Sequence, residues 1–331
     1  MPHLCRPVRL NSINCLFISF DVLSRMTMAL ANPTSASHAL TGMVLAAAAF
    51  ALLTSVDTIF KIVALGHPAY QILFINAFFA LIPILVWTFL TGGMVRLQTM
   101  RLPQHLVRGS ASVMSAFAAI YAYSRLPLTD FYAIVFAGPL IVTAMSAFWL
   151  GEKVDPARWL AILVGFMGIM VVANPFDHAQ MVHGSAALLG RFGALISVFC
   201  YALSTVMVRR MRQGETNMTF SFYGYLAAIL ISGTLLVVRG GPAVTANDIV
   251  HLSLSGVLAG ISSICLMTAY HRTPVALIAP FQYTQIIWGA VAGYLIWKQV
   301  PNMHLIGGAL IVAASGLFVI YREIRTKEVT D

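Results

Sequence analysis

Charged side chains are scarce in this chain, at 9% of residues, where an ordinary globular protein carries about 25%. A soluble fold so poor in charge cannot dress its own surface, so its outer contact must be lipid. Hydrophobic residues take 59% of the 331 positions, and mean hydropathy is +0.85. The net charge of +9 comes from Lys and Arg that sit singly or in short clusters between apolar runs. Without a basic stripe or patch, nucleic acid is a poor partner. Cysteine is equally sparse: Cys5, Cys15, Cys200 and Cys265 form no CxxC pair and have no His at metal-ligand spacing. That excludes a disulfide framework and a zinc site. Enzyme signatures are missing too, with no GxxxxGKS/T phosphate loop, no HExxH and no GxSxG. No cofactor is expected.

What the chain has is long apolar runs. A bilayer core of about 30 Å needs roughly 20 apolar residues per helix. Cutting at charges and at Gly/Pro loops gives ten such runs: 41–62, 70–91, 106–124, 130–150, 158–174, 190–208, 217–238, 249–270, 275–297 and 303–321. Residues 1–39 read as a tail or an over-extended start, since the apolar run Ile13–Phe20 is too short to span. Residues 323–331 read as a second tail. With the N-terminus inside, fifteen of the twenty Lys and Arg fall on the cytoplasmic side and five on the outer side. That bias predicts both termini in the cytoplasm. Trp87, Trp149, Trp159 and Trp297 fall near helix ends, as an interfacial belt requires, whereas Trp288 falls near mid-span.

An offset of about 147 residues brings the two halves into register. Gly42 and Ala46 fall on Gly190 and Ala194, and Gly109 and Ser115 fall on Gly256 and Ser262. The run Ala122-Tyr123-Ser124-Arg125-Leu126-Pro127 falls on Ala269-Tyr270-His271-Arg272-Thr273-Pro274, identical at four of six positions. Small residues Ala161, Gly165 and Gly168 fall on Ala309, Ala313 and Gly316, one helix face in each half, so spans five and ten read as packing struts. Five spans per copy is an odd number, so the second copy enters the membrane from the opposite side. The fold expected is an all-α integral membrane protein of ten transmembrane helices in two inverted five-helix repeats, residues 40–175 and 188–322. Inverted repeats meeting around a midplane site are an architecture of secondary transporters.

The motifs carry a resemblance as well. Ala122–Asp130, Ala137-Gly138-Pro139 and Leu150-Gly151-Glu152-Lys153-Val154 resemble the end of an EamA repeat. So do Ala269-Tyr270, Ala279-Pro280-Phe281-Gln282-Tyr283, Trp288 and Val300-Pro301 in the second half. The chain thus resembles the EamA family of the drug/metabolite transporter superfamily over roughly residues 40–322. The resemblance implies ten helices around a cavity lined by spans one to four and six to nine, with alternating access. It also implies a small metabolite as substrate, of the amino-acid, vitamin, nucleotide-like or drug-like kind. Two positions depart from that pattern. Glu152 becomes Gln299 in the second copy, and Asn76 stands where many relatives carry Arg, which argues against an anion site.

Asp57 is the one acid deep within an expected span, and such an acid marks a functional site by default. Lys61 shares its helix face at i, i+4. Two readings stay open: a pair that controls substrate or proton binding, or a structural ion pair with Lys61 snorkelling outward. The equivalent positions, Thr205 and Arg209, do not repeat it. Gln282, Tyr283 and Trp288 follow the break that Pro280 imposes on span nine, and amide, phenol and indole groups suit a polar or flat ligand. Tyr123 and Tyr270 are repeat-related candidates for gates or belt residues. Asn76, Tyr201 and Ser204 are weaker polar candidates.

These observations predict a secondary active transporter of a small organic metabolite in a cell inner membrane, with proton coupling through Asp57 as one mode. The alternatives are a non-transporting membrane subunit or scaffold, and an intramembrane enzyme, which would need more than one buried acid. The expected partners are the lipid bilayer and a small-molecule substrate, the chain acting as a monomer or homodimer.

Overall fold

Prolines punctuate the chain and set where helices start. Proline lacks the N–H that a helix's first turn leaves unpaired anyway, so it is tolerated there and disruptive further in. A computed structural model describes residues 33–93, 97–151, 156–173, 185–211, 215–272, 278–300 and 303–328. Helices α1 (Pro33–Val63) and α6 (Pro156–Ala173) begin on proline, and α2 (Ala69–Gly92) and α4 (Leu128–Val135) follow Pro68 and Pro127. Helices α3 (Leu102–Tyr123) and α5 (Gly138–Trp149) carry Pro103 and Pro139 in their first turns. Then come α7 (Ser185–Met211), α8 (Asn217–Arg239), α9 (Ala246–Arg272), a 3-10 turn (Ala279–Thr284), α10 (Gln285–Trp297) and α11 (Met303–Glu328).

Each expected span overlies one of these segments. Span four is broken: Phe136 and Ala137 separate α4 from α5, and Pro139 withholds the N–H that would have bonded Val135. Span nine enters through the 3-10 turn at Pro280. Two ends differ from expectation. Helix α1 already starts at Pro33, within the stretch read as a tail, because nothing between Thr34 and Leu40 breaks a helix. Helix α11 runs on to Glu328 through good helix formers. Residues 1–32, the Glu152-Lys153 motif and residues 329–331 lie outside the described residues.

The repeat recurs in backbone detail. Gly93 and Gly240, 147 apart, cap α2 and α8 at φ 77° and 67°. Gly151 (φ 68°) ends α5, and its counterpart after α10 is Lys298 at φ 56°, the one positive-φ non-glycine among the described residues. A side chain in that left-handed region costs about 1–2 kcal/mol. Lys298→Gly is therefore expected to stabilise the protein by about 1 kcal/mol, read as a higher thermal midpoint in detergent, and Gly151→Lys to lower it.

Packing follows the same exchange. Helix α1 packs on α9 as α3 packs on α7, while α2 meets α8 and α6 meets α11 within their own classes. Two serine hydroxyls make equivalent bonds: Ser115 donates to the Ser197 carbonyl at 2.8 Å and Ser262 to the Ala49 carbonyl at 2.9 Å. The struts read from Gly165 and Gly168 are in place, since a Cβ at Gly168 would stand 2.9 Å from Ile311 and Val312 of α11. Helix ends give the directions. Gly190, opening α7, lies against Arg125 and Leu126 beyond the end of α3, and His67, beyond α1, meets Asp248 in the first turn of α9. So α7 and α9 start where α1 and α3 finish, here called the Tyr123 end; they finish at the far, Tyr270 end.

The outer surface is apolar, with Val237, Phe148 and Phe89 exposed by 86%, 81% and 73%. No water-soluble surface carries such a continuous skin; lipid covers it. Six helical stretches are long and apolar enough to cross a membrane: Leu40–Val63, Ala69–Gly92, Leu128–Trp149, Ala186–Met211, Met218–Arg239 and Ala246–Tyr270. Helix α3 misses that measure because Gln104, His105 and Arg108 fill its first two turns.

Candidate functional site

Asp57 stands four-fifths of the way along α1, half-buried among helices. Its Oδ2 accepts a 2.7 Å hydrogen bond from the Tyr132 hydroxyl of α4, and Tyr123 of α3 stands beside the same carboxylate. Thr54, one turn earlier on α1, faces Tyr132. Both rings are sealed in, Tyr132 at 1% and Tyr123 at 2% exposure, with Phe131 between them at centroid distances of 5.9 and 4.5 Å. Tyr132 has room because α10 presents Gly289 to it: a Cβ there would lie 2.7 Å from the ring. Gly293, one turn on, lies against Gln299 instead.

Lys61 does not pair with Asp57. Its Nζ donates to the Tyr123 carbonyl at 2.9 Å and to the Leu126 carbonyl, and lies 5.2 Å from the Trp297 ring centre. The i, i+4 spacing gave the shared face correctly, but the last carbonyls of a helix lack partners within the helix and attract a cation. Lys61 also feels Asp130, at the start of α4, which in turn faces Arg191 at the start of α7. The expected Asp–Lys pair is replaced by an Asp–tyrosine cluster with a cation-capped helix end above it.

At the opposite end Tyr270 of α9 stands near Tyr201 of α7. These phenols are 40% and 45% exposed, and Tyr201 rests its ring on Gly138 at the span-four break. The other candidates are dispersed. Asn76 is buried at the α2–α9 seam, its amide donating to Ser255 at 2.9 Å. Ser204 is buried against Ser112 at the α3–α7 seam, with oxygens 2.8 Å apart. Tyr283 wedges between Phe136 (centroids 4.8 Å apart, edge-on) and Gly316. Gln282 is half-buried in the 3-10 turn, and Trp288 shares the exposed side of α10 with Val291 and Leu295. Neither is brought to Asp57. Among the described residues no group of His, Cys, Asp and Glu could hold a metal ion.

Sequence reasoning missed Tyr132, whose phenol lies in an otherwise apolar run, and Asp130, which looked like an acid at a helix start. It also missed a buried charged cluster at the Tyr270 end. There Glu215 accepts from the Thr99 hydroxyl at 2.5 Å and lies 3.4 Å from His105 Nε2. Arg108 donates to the Phe220 carbonyl at 2.5 Å. The signal available was three ionisable residues flanking short loops at the starts of α3 and α8.

An apolar-skinned helical bundle built twice from one plan, with a carboxylate held inside it, is a multi-pass membrane protein of transporter type. The chain belongs to the EamA-like transporter family, whose model matches residues 40–174 and 188–322. It is similar to a riboflavin transporter of Rhizobium johnstonii, 27% identical over 284 residues, covering 86% of this chain and 91% of that one. The pseudopaline exporter CntI of Pseudomonas aeruginosa is 26% identical over 274 residues, covering 82% and 94%. An S-adenosylmethionine uptake transporter of Rickettsia bellii is 22% identical over 267 residues, covering 81% and 89%. A solved crystal structure shares the fold with a TM-score of 0.61 at 16% identity, covering 87% of this chain and 99% of that one. The family and these relatives are transporters, not enzymes.

Proposed function

We propose that the chain is a secondary transporter moving a small organic metabolite across the inner membrane by alternating access. In this reading it crosses the membrane ten times as two inverted five-helix repeats, with both termini cytoplasmic. The observation that carries it is Asp57, a carboxylate inside an apolar bundle, gripped by phenols from two other helices. Such a group is costly in a membrane and is kept for a use. A mere scaffold needs only an apolar interior. Two halves that exchange partners in packing also provide two near-equivalent shapes, the requirement for alternating access. One relative is named an exporter and another an uptake transporter, so the frame serves either direction. Substrate or coupling-proton binding falls to Asp57 and Tyr123 at one end and Tyr201 and Tyr270 at the other.

A thermal-shift screen of amino acids, vitamins, nucleosides and cationic drugs on purified protein, followed by flux in liposomes, tests this. Asp57→Asn is expected to weaken binding or flux of the hit by about tenfold to a hundredfold, the worth of a hydrogen bond to a charged group. Tyr283→Phe should leave flux unchanged, since that hydroxyl points at Gly316. Protein that moves nothing in the panel would sink the transport reading; flux insensitive to Asp57→Asn would leave that residue structural.

A further inference from the structure

The two ends of the bundle, equivalent by repeat, are not in the same state. At the Tyr123 end, Tyr123, Phe131 and Tyr132 are 2%, 4% and 1% exposed. They form a plug across α3 and α4, backed by Gly289 of α10 and tied to α1 through the Tyr132–Asp57 bond. Further out, Lys61 ties α1 to the end of α3, and Asp130 faces Arg191 of α7. At the Tyr270 end the tyrosine is kept but the rest of the plug is not: by offset, Ile278 takes the place of Phe131, Ala279 that of Tyr132 and Thr205 that of Asp57. Tyr270 and Tyr201 there are 40% and 45% exposed. Thr205 turns its hydroxyl back to the Tyr201 carbonyl of its own helix at 2.9 Å.

We infer that Asp57 and Tyr132 are the latch of a gate that shuts the Tyr123 end, a latch the repeat does not duplicate at the Tyr270 end. The inference rests on the transport reading for its purpose, not for its geometry. An acid that grips phenols from two helices holds their ends together, and a single hydroxyl or carboxylate oxygen decides whether it does. At the Tyr270 end the repeat-related position of Asp57 holds no acid; an acid of that end, Glu215, instead ties the connection before α8 to Thr99 and His105. Opening the latched end must give the carboxylate another donor or a proton, so it is released by a ligand O–H or N–H group or by protonation.

Cysteine accessibility in vesicles tests the latch without a known substrate. In a background with Cys5, Cys15, Cys200 and Cys265 replaced by serine, two reporters are made: Thr54→Cys, one turn behind Asp57, and Tyr201→Cys. A membrane-impermeant maleimide is applied from each side separately. Expected is rapid labelling of Tyr201→Cys from one side and none of Thr54→Cys from the other. Adding Tyr132→Phe, which keeps the ring and removes only the hydroxyl, should raise Thr54→Cys labelling from that other side about tenfold, the shift worth one hydrogen bond to a charged group. Asp57→Asn should do the same, and unchanged thermal midpoints show that the bundle is intact. Thr54→Cys labelling that both variants leave unchanged overturns the latch, as does labelling of both reporters from one side. A latch that responds in protein that moves no solute would refute transport and leave the gate standing.

Discussion

Leucine in place of Gly256 is expected to be the most damaging single change in the transmembrane frame. Gly256 lies in α9 where it crosses α2, and a Cβ there would strike the Asn76 carbonyl, the Phe79 Cβ at 2.6 Å and the Ala80 nitrogen at 3.1 Å. Two of those three atoms are helix backbone, which cannot rotate aside. Gly260, one turn on, is pressed in the same way on Ala80 and Pro83, so the seam has no slack to share. Overpacking usually costs about 1–3 kcal/mol, and backbone contact puts Gly256→Leu at or above the top of that range. Helix association in lipid relies on such close approach, so α2 and α9 must part. Gly109 is the repeat-related position, and its nearest obstacle is the Ala227 methyl at 2.6 Å. Gly109→Leu should therefore hurt less. Gly307, with nothing within 4 Å, is the control, where a helix former gains about 1 kcal/mol over glycine. Thermal unfolding in detergent should rank them Gly256, Gly109, Gly307 in order of loss; equal losses at the first and last would refute the account.

The frame was legible because bilayer thickness and helix rise leave little freedom: apolar runs of the right length can do only one thing. The repeat was legible because its glycines and serines are backbone devices, and backbone geometry survives divergence. Even the misfit at Lys298 follows from its alignment with Gly151. The site was legible only in part, for a physical reason. Asp57 stands out because a carboxylate among apolar residues has no cheap explanation. Tyr132 does not, because tyrosine is at home in membrane helices and nothing local shows which way its hydroxyl points. Lys61 was assigned to the nearest acid along the helix, while the open carbonyls at the end of α3 belong to residues over sixty positions away. Tyr283 shows the converse: its phenol suited a binding cavity, but the small Gly316 offered the ring a place against α11.

Charge removal at the Tyr270 end is expected to rank second in effect. Glu215, in the connection before α8, has a side chain only 4% exposed and His105 beside it is fully sealed. Arg108 is 7% exposed, its guanidinium carbon 5.5 Å from the Phe220 ring centre and its fork fitting only because Gly224 lacks a side chain. Phe220 and Tyr223 flank the His105 ring at 5.3 and 4.8 Å. Together these residues bind the start of α3, in the first repeat, to the start of α8, in the second. Glu215→Ala would leave the Thr99 hydroxyl unpartnered and take the carboxylate from beside the sealed His105 ring, a loss of about 1–3 kcal/mol. Glu215→Gln keeps an acceptor for Thr99 and should lose about half as much. Asp248 makes the comparable tie at the other end, to His67 at 3.1 Å. Because it stands in water, Asp248→Ala should change the thermal midpoint little. A double change, Glu215→Ala with Thr99→Ala, should cost less than the sum of its parts, since it removes the hydroxyl left unpartnered. Strict additivity of the two would show that the two groups do not interact, and the cluster would then be a set of separate helix contacts.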